Sequence, residues 1–567
     1  MRTHALTLAG ALAATTAASA LSLMPSTAHA CGGTFCDGGP NQMPVDQTGE
    51  NVLFILGDDQ VEAHIQIQYD PNTDAESFAW VIPVTALPEF EPGSQPLFDN
   101  LLAGSVPTYG YSTQSDQCNR PLFPMDDGFP GGSGGVTGTG GEDGGDGDGE
   151  EDPDVVYQDT VGAFEIAVLD GGTVEGVMQW LGDNGYDQDP AAEPILAEYL
   201  DNEFMFVALK LSNGTAVGEI HPIVLRYQGT EPCVPLKLTR IAAQEDMDVR
   251  VFFLGENRTV PVNYRHVLVN PLMIDWIALA ANYKEVITLA VDAESADGNA
   301  FVTEYAGSSA VVSQGNLHSP LWDPAPIAQL TDTPVGLTDL LSSQGLMDCS
   351  YGQCSWNHPL VQGLVTQYVP VPDQLDEAEF YDCLQCYEAM IDLDAWDAQA
   401  FADAFQERII DPGSHALDLL GQNDYLTRMY TTISPNEMTV DPIFRENPNL
   451  EDVPNVRMGT LTRHCNGTAT MELPDGREVH LEDPSVWPEI HEEMPWEEKV
   501  DAAAPAGAMM NLVDNTEQID ALLAEYNAQF EGTEESGCGC TVSGGKTGTL
   551  IAFGFLSLLG LSLRRRR

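Results

Sequence analysis

Between Asp126 and Asp154 the chain is dominated by glycine, aspartate and glutamate, most densely in Gly140-Gly141-Glu142-Asp143-Gly144-Gly145-Asp146-Gly147-Asp148-Gly149-Glu150-Glu151-Asp152. A run like this has nothing apolar to bury, and its charges repel one another. It is expected to be a flexible, disordered insertion. Any core must therefore be assembled from what lies on either side, residues 31–125 and 155–530. Asp146 and Asp148 offer hard oxygen ligands, but an EF-hand needs a bidentate acid at its twelfth position and flanking helices. A weak calcium loop at 140–154 is the most that this run implies, and a plain linker is favoured. No other cofactor is expected.

The flanking segments carry enough apolar residues to fold. Hydrophobic residues make up 43% of the 567, which excludes wholesale disorder. The charge balance is extreme, with 87 Asp and Glu against 22 Lys and Arg, a formal net charge of -65. All the acids lie within 31–540. Such a surface repels nucleic acid and anionic lipid, so nucleic acid is excluded as a partner.

Both ends read as export signals. Residues 1–30 have Arg2 as a basic start, an apolar stretch from Ala5 to Met24, and Ala28-His29-Ala30 as a cleavage site before Cys31. A lipoprotein signal also ends at a cysteine, so lipidation of Cys31 stays open. At the other end Thr547 to Leu563 is uncharged and is followed by Arg564 to Arg567. At about 1.5 Å per residue this segment reaches roughly 25 Å, the lower limit for one transmembrane helix. The arginines form a stop-transfer block. The stretch 531–546 reads as a stalk carrying Ser536-Gly537-Cys538-Gly539-Cys540. This order of cysteine motif, apolar helix and arginine cluster resembles the MYXO-CTERM sorting signal. The resemblance implies cleavage by a membrane protease near Cys538 or Cys540 and arrival at the cell surface. A permanent tail anchor is the alternative. The partners expected are the membrane, a signal peptidase acting after Ala30, and a sorting protease.

Within 31–125, Val52 to Leu56 reads as a strand. Val61 to Tyr69 alternates strictly, with Val61, Ala63, Ile65, Ile67 and Tyr69 on one face. His64 falls on the polar face and is expected to be solvated, since no companion ligand lies nearby in sequence. Phe78 to Val84 is a third strand, pushed to a sheet edge by Pro83. In 155–310, strands are expected at Phe164–Leu169, Phe204–Leu211, Ile223–Tyr227, Val234–Leu238 and Val249–Leu254. A helix is expected over Thr173–Leu181, and Tyr283, Val286, Ile287 and Ala290 mark another helical face. In 311–530, Phe380–Met390 and Phe401–Ile410 read as helices. Ala469–Leu473 and Glu478–Leu481 read as a hairpin through Pro474-Asp475-Gly476-Arg477. Thr516–Phe530 reads as an amphipathic helix whose apolar face is core. The fold class is α+β, with mostly antiparallel sheets, packed helices and disulfide staples.

Several motifs then point to one family. These are Cys31-Gly32-Gly33-Thr34-Phe35-Cys36, Val45-Asp46-Gln47-Thr48-Gly49-Glu50, Ala63 to Tyr69 and Phe78 to Val84. They continue with Val161-Gly162-Ala163-Phe164-Glu165, Trp180 to Tyr186 and Asn299 to Gly307. Together they resemble the bacterial "domain of unknown function 2330" family over about 31–310, reaching to Ser434-Pro435-Asn436-Glu437-Met438-Thr439. The resemblance implies an exported protein and carries no catalytic residue, since the family has no assigned activity.

Eleven cysteines bear on chemistry. In an exported chain Cys31/Cys36, Cys349/Cys354 and Cys383/Cys386 favour disulfides, and Cys118 has Cys233 or Cys465 as a possible partner. Two competing readings stay open: a four-cysteine zinc site from Cys349, Cys354, Cys383 and Cys386, and a redox dithiol at Cys383-Leu384-Gln385-Cys386. Gly131-Gly132-Ser133-Gly134-Gly135 matches a nucleophile elbow only in letters, without the strand and helix it needs. His491-Glu492-Glu493 lacks the second histidine of a zinc-protease motif. The sequence thus assigns no catalytic, cofactor-binding or metal-ligating residue. It points to an exported, surface-anchored envelope or adhesion protein, with an exported hydrolase or thiol-redox enzyme as the alternative.

Overall fold

A computed structural model describes residues 47–57, 60–69, 79–117, 153–185, 190–211, 220–229, 232, 234–241, 243–350 and 353–530. Its centre is a ten-stranded sheet. In spatial order the strands are Met510–Asp514, Glu497–Ala502, Arg265–Val269, Ala300–Ser308, Tyr425–Ile433, Ala243–Gly255, Gln47–Leu56, Gln60–Tyr69, Ile223–Gln228 and Glu89–Pro92. The segments 31–125, 155–310 and 311–530 all contribute strands to this sheet. Two of its pairings are parallel, Gln47–Leu56 with Ala243–Gly255 and Arg265–Val269 with Ala300–Ser308. A third parallel pairing joins Thr108–Ser115 to Val456–Arg463 in a separate sheet. The other strand pairs are antiparallel, as an α+β fold rich in hairpins requires.

A second sheet of four antiparallel strands, in the order Ala79–Val84, Met205–Leu211, Phe164–Asp170, Asp154–Val161, packs on one face of the first. Pro83 sits in its edge strand, where a missing N–H costs no ladder bond. Trp80, Ile166, Val168, Val207 and Leu209 meet Val52, Phe54, Val61, Ala63, Ile65 and Phe253 in the largest core. The outer face of the four-stranded sheet is covered by helices Val174–Asp183 and Glu193–Asp201. The far face of the ten-stranded sheet is covered by helices Gln95–Ser105 and Asp411–Gln422, through Leu53, Phe252 and Leu254. Sheets buried on both faces account for the continuous apolar runs in the central strands.

Residues 327–410 form a helical region around its own core, including Phe380, Phe401 and Phe405. The hairpin pairs Ala469 with Leu481, and the helix Thr516–Ala528 packs Ile519, Leu523 and Tyr526 against it. Arg477 locks this contact with a forked pair to Glu498, at 2.8 and 3.0 Å, and a bond to Asp520 at 2.8 Å.

Two expected elements differ. Val234–Leu238 is not a strand: Pro235 has no N–H for a ladder and instead caps a short helix, Leu236–Thr239. The helix expected over 380–390 breaks at Cys383, which is extended (φ -146, ψ 69). Helix Glu377–Asp382 ends there and a 3-10 turn, Leu384–Met390, follows. Among the described residues no helix is long and apolar enough to cross a membrane. The segment 547–563 lies outside them, as do the acidic run and both processing sites.

Candidate functional site

The strand Gln60–Tyr69 alternates as its sequence requires, with Val61, Ala63 and Ile65 in the inter-sheet core. The expectation for its other face is overturned. His64 is not solvated: it is 2% exposed, because the helix Asp411–Gln422 and the strand's neighbours close over it. Alternation tells which residues share a face but not whether that face is covered, and here both are.

The helix Asp411–Gln422 starts with Pro412 in its first turn, a position where the missing N–H is harmless. It approaches the chain so closely at Gly413 that a Cβ there would lie 1.8 Å from the Leu317 carbonyl oxygen. Ala416, Leu419 and Leu420 seat it on the sheet. His415 is adjacent to that stripe and reaches Glu62. We expect Gly413→Ala to lift the helix and lower stability by about 1–3 kcal/mol, the usual cost of overpacking, read as a fall in the denaturation midpoint. An unchanged midpoint would refute this tight seating.

Three ligand-type atoms converge at this point. His64 Nε2 lies 2.6 Å and His415 Nε2 2.5 Å from the same oxygen, Glu62 Oε1. The two imidazole rings lie nearly parallel, with centroids 5.8 Å apart. Arg226, opposite Glu62 on the neighbouring strand, donates from Nε to Glu62 Oε2 at 2.7 Å and pairs with Glu91 at 2.6 Å. Its Nη2 lies 3.0 Å from His415 Nε2. His64 Nδ1 is buried and has no partner among the described residues.

The electrostatics follow from these contacts. Burial pushes the Glu62 carboxyl up, but the hydrogen bonds from His415, His64 and Arg226 outweigh it and hold it well below the usual carboxylate range. Burial pulls His64 down despite the neighbouring carboxylate, so its neutral form is favoured. Burial also works against the Arg226 charge, and Glu91 and Glu62 more than restore it. The result is a carboxylate and two imidazoles over the interior strand Gln60–Tyr69, steadied by a guanidinium from the neighbouring strand. Chemically, the set can act as an ionic clasp or as a two-histidine, one-carboxylate ligand set.

Two other buried histidines, His221 and His266, belong to the framework. His221 Nε2 accepts the Ala163 N–H at 2.9 Å and Nδ1 donates to the Pro222 carbonyl at 2.7 Å, with burial pulling its pKa down to about 4. Gly162, at φ +59, is required beside it, since a Cβ would lie 2.1 Å from His221 Nε2. His266 contacts Thr303 Oγ1 at 2.9 Å and Arg258, and burial lowers its pKa to about 3.

Of the cysteines singled out, Cys349 is bonded to Cys354 across a small hairpin and Cys383 to Cys386. These bonds consume the thiols that a four-cysteine zinc site would need. Cys465 is also disulfide-bonded. Cys31, Cys36, Cys118, Cys233, Cys538, Cys540 and Ala30 lie outside the described residues. Sequence reasoning missed Glu62, Arg226 and His415. The only local sign was Glu62 and His64 sharing a strand face, and His415 follows 353 residues after Glu62.

Residues 25–445 match the family model described as an uncharacterized protein conserved in bacteria, DUF2330. The chain belongs to this family. The DUF2330 match spans Glu62, His64, Arg226 and His415. The hairpin and the helix Thr516–Ala528 fall beyond its end. No curated protein and no solved structure matches the chain.

Proposed function

We propose that this DUF2330 protein is exported and anchored at the cell surface, where it serves as a non-enzymatic envelope or adhesion component. The observation that carries this reading is the oxidised state of its thiols: the Cys349–Cys354 and Cys383–Cys386 bonds, with Cys465 bonded as well. Persistent disulfides belong to compartments outside the reducing cytosol. The leader ending at Ala30, the apolar tail 547–563 with its arginine block, and the formal charge of -65 support the same reading. The partners it implies are the membrane, a signal peptidase, and a sorting protease acting near Cys538 or Cys540.

Mass spectrometry of the native protein from cells tests it. The expected product starts at Cys31 and has lost the arginine block. Its disulfide map should also join Cys118 to Cys465 rather than to Cys233. The strands Thr108–Ser115 and Val456–Arg463 run in register to Ser115 and Arg463, and Asp116 then meets His464 at 3.0 Å. An intact Met1–Arg567 chain with reduced thiols in the cytosol would overturn the reading.

A further inference from the structure

The geometry points to a divalent transition-metal site at Glu62, His64 and His415, of the class that binds zinc through three protein ligands and a water. The inference goes beyond the proposal of export and stands independently of it.

The hydrogen-bond accounts at the cluster do not close on their own. His415 Nε2 lies within bonding distance of an acceptor, Glu62 Oε1, and of a donor, Arg226 Nη2. One ring nitrogen either carries a proton or offers a lone pair, so it satisfies only one of these neighbours. His64 Nε2 is aimed at the same carboxylate oxygen. A cation at the point of convergence satisfies all three ligand atoms at once, with both imidazoles offering Nε2 lone pairs and carrying their proton on Nδ1. Three dative bonds form, and an imidazole proton that bonds Glu62 from Nε2 in the free protein moves to Nδ1 by exchange with solvent, so neutral rings release no net proton.

The surroundings suit such an ion. Glu62 Oε2 is held by Arg226, and Arg226 is held in turn by Glu91, the kind of outer support that orients a ligating carboxylate. With both histidines neutral, Glu62 and Glu91 against Arg226 leave one net negative charge. Tetrahedral zinc bonds of about 2.0–2.2 Å place ligand atoms about 3.3–3.6 Å apart, so the present 2.5–2.6 Å contacts must open by roughly 1 Å. His415 is the partner able to yield, being 30% exposed while His64 is 2% exposed. Its solvent side is also where a water can reach the fourth position. Two imidazoles exclude calcium and magnesium, which prefer oxygen ligands, and this separates the site from the many surface acids.

The test uses the full-length, disulfide-bonded protein, stripped with chelator and titrated with zinc chloride in about 0.15 M salt and excess calcium, which screens loose binding to the acidic surface. One zinc per chain is expected, with a rise in melting temperature. Losing even a supporting group near a metal costs roughly 10–100-fold in affinity, so His415→Ala, which removes a ligand, should weaken binding by at least about 100-fold. Glu62→Gln should weaken it as well. X-ray absorption on the wild-type complex makes the test independent of how the variants fold, and should show two imidazole nitrogens with oxygen and no sulfur. Absence of zinc uptake, unchanged affinity in a folded His415→Ala protein, or a sulfur or all-oxygen shell would each overturn the assignment.

Discussion

Replacing Arg428 by methionine is expected to destabilise the protein by about 3–5 kcal/mol, measured as the loss of unfolding free energy in denaturant. Arg428 is on the strand Tyr425–Ile433 and is buried beside Glu304 of the strand Ala300–Ser308, with its Nε donating to Glu304 Oε2. Its Nη1 donates to the Leu102 carbonyl at 3.1 Å and to Ser105 Oγ at 3.3 Å, tying the sheet to the helix Gln95–Ser105. Tyr283 OH completes the cluster at 2.9 Å from the other Glu304 oxygen. Taking away the cation strands a buried carboxylate, and that penalty exceeds the net worth of the pair. The double variant Arg428→Met with Glu304→Leu should therefore recover much of the loss. If it is as unstable as the sum of the two single changes, the pair is not coupled as the geometry requires.

The second large effect depends on pH. Glu50 is fully buried on the strand Gln47–Leu56, and neither carboxyl oxygen has a partner among the described residues. Burial pushes its pKa up to about 7. A carboxyl with a raised folded-state pKa favours the folded state most when protonated. Its contribution is full below the unfolded value near 4.5 and is lost as pH rises through about 7. A gap of about 2.5 units corresponds to roughly 3 kcal/mol above that range. Glu50→Gln is close to the protonated acid in shape and stays neutral. It should leave stability almost unchanged at pH 4.5 and raise it by up to about 3 kcal/mol at pH 8.5. Denaturation curves at the two pH values decide the matter, and an equal effect at both would mean that Glu50 does not titrate in the folded protein.

The Glu62 cluster responds in the opposite sense. A carboxyl held below its usual range adds stability above its unfolded value and loses it as pH falls, and a histidine kept neutral by burial does the same below its ordinary value. Glu50 therefore acts on the alkaline side of stability, and Glu62 and His64 on the acid side.

The family match runs to residue 445, just past the Ser434 to Thr439 motif to which the resemblance reached. That extent fits the architecture, because Tyr425–Ile433 is a central strand flanked by Ala243–Gly255 and Ala300–Ser308. The segment 425–433, to which the sequence assigned no element, thus contributes to the middle of the main sheet. A central strand buried on both faces does not alternate, and its apolar and threonine residues give no period to read.

What sequence alone determined are features written over a few consecutive residues. They include the alternating strand Gln60–Tyr69, the edge position of Pro83, the hairpin around Gly476 and the amphipathic helix after Thr516. Each follows from side-chain period or from the backbone demands of proline and glycine. Tertiary structure alone decided that His64 is buried, that Glu62 meets a histidine 353 residues away, and that Arg428 finds Glu304. These contacts depend on the order in which ten strands assemble and on which helix covers which face. That order is set by the summed burial of the whole chain, and no local spacing records it.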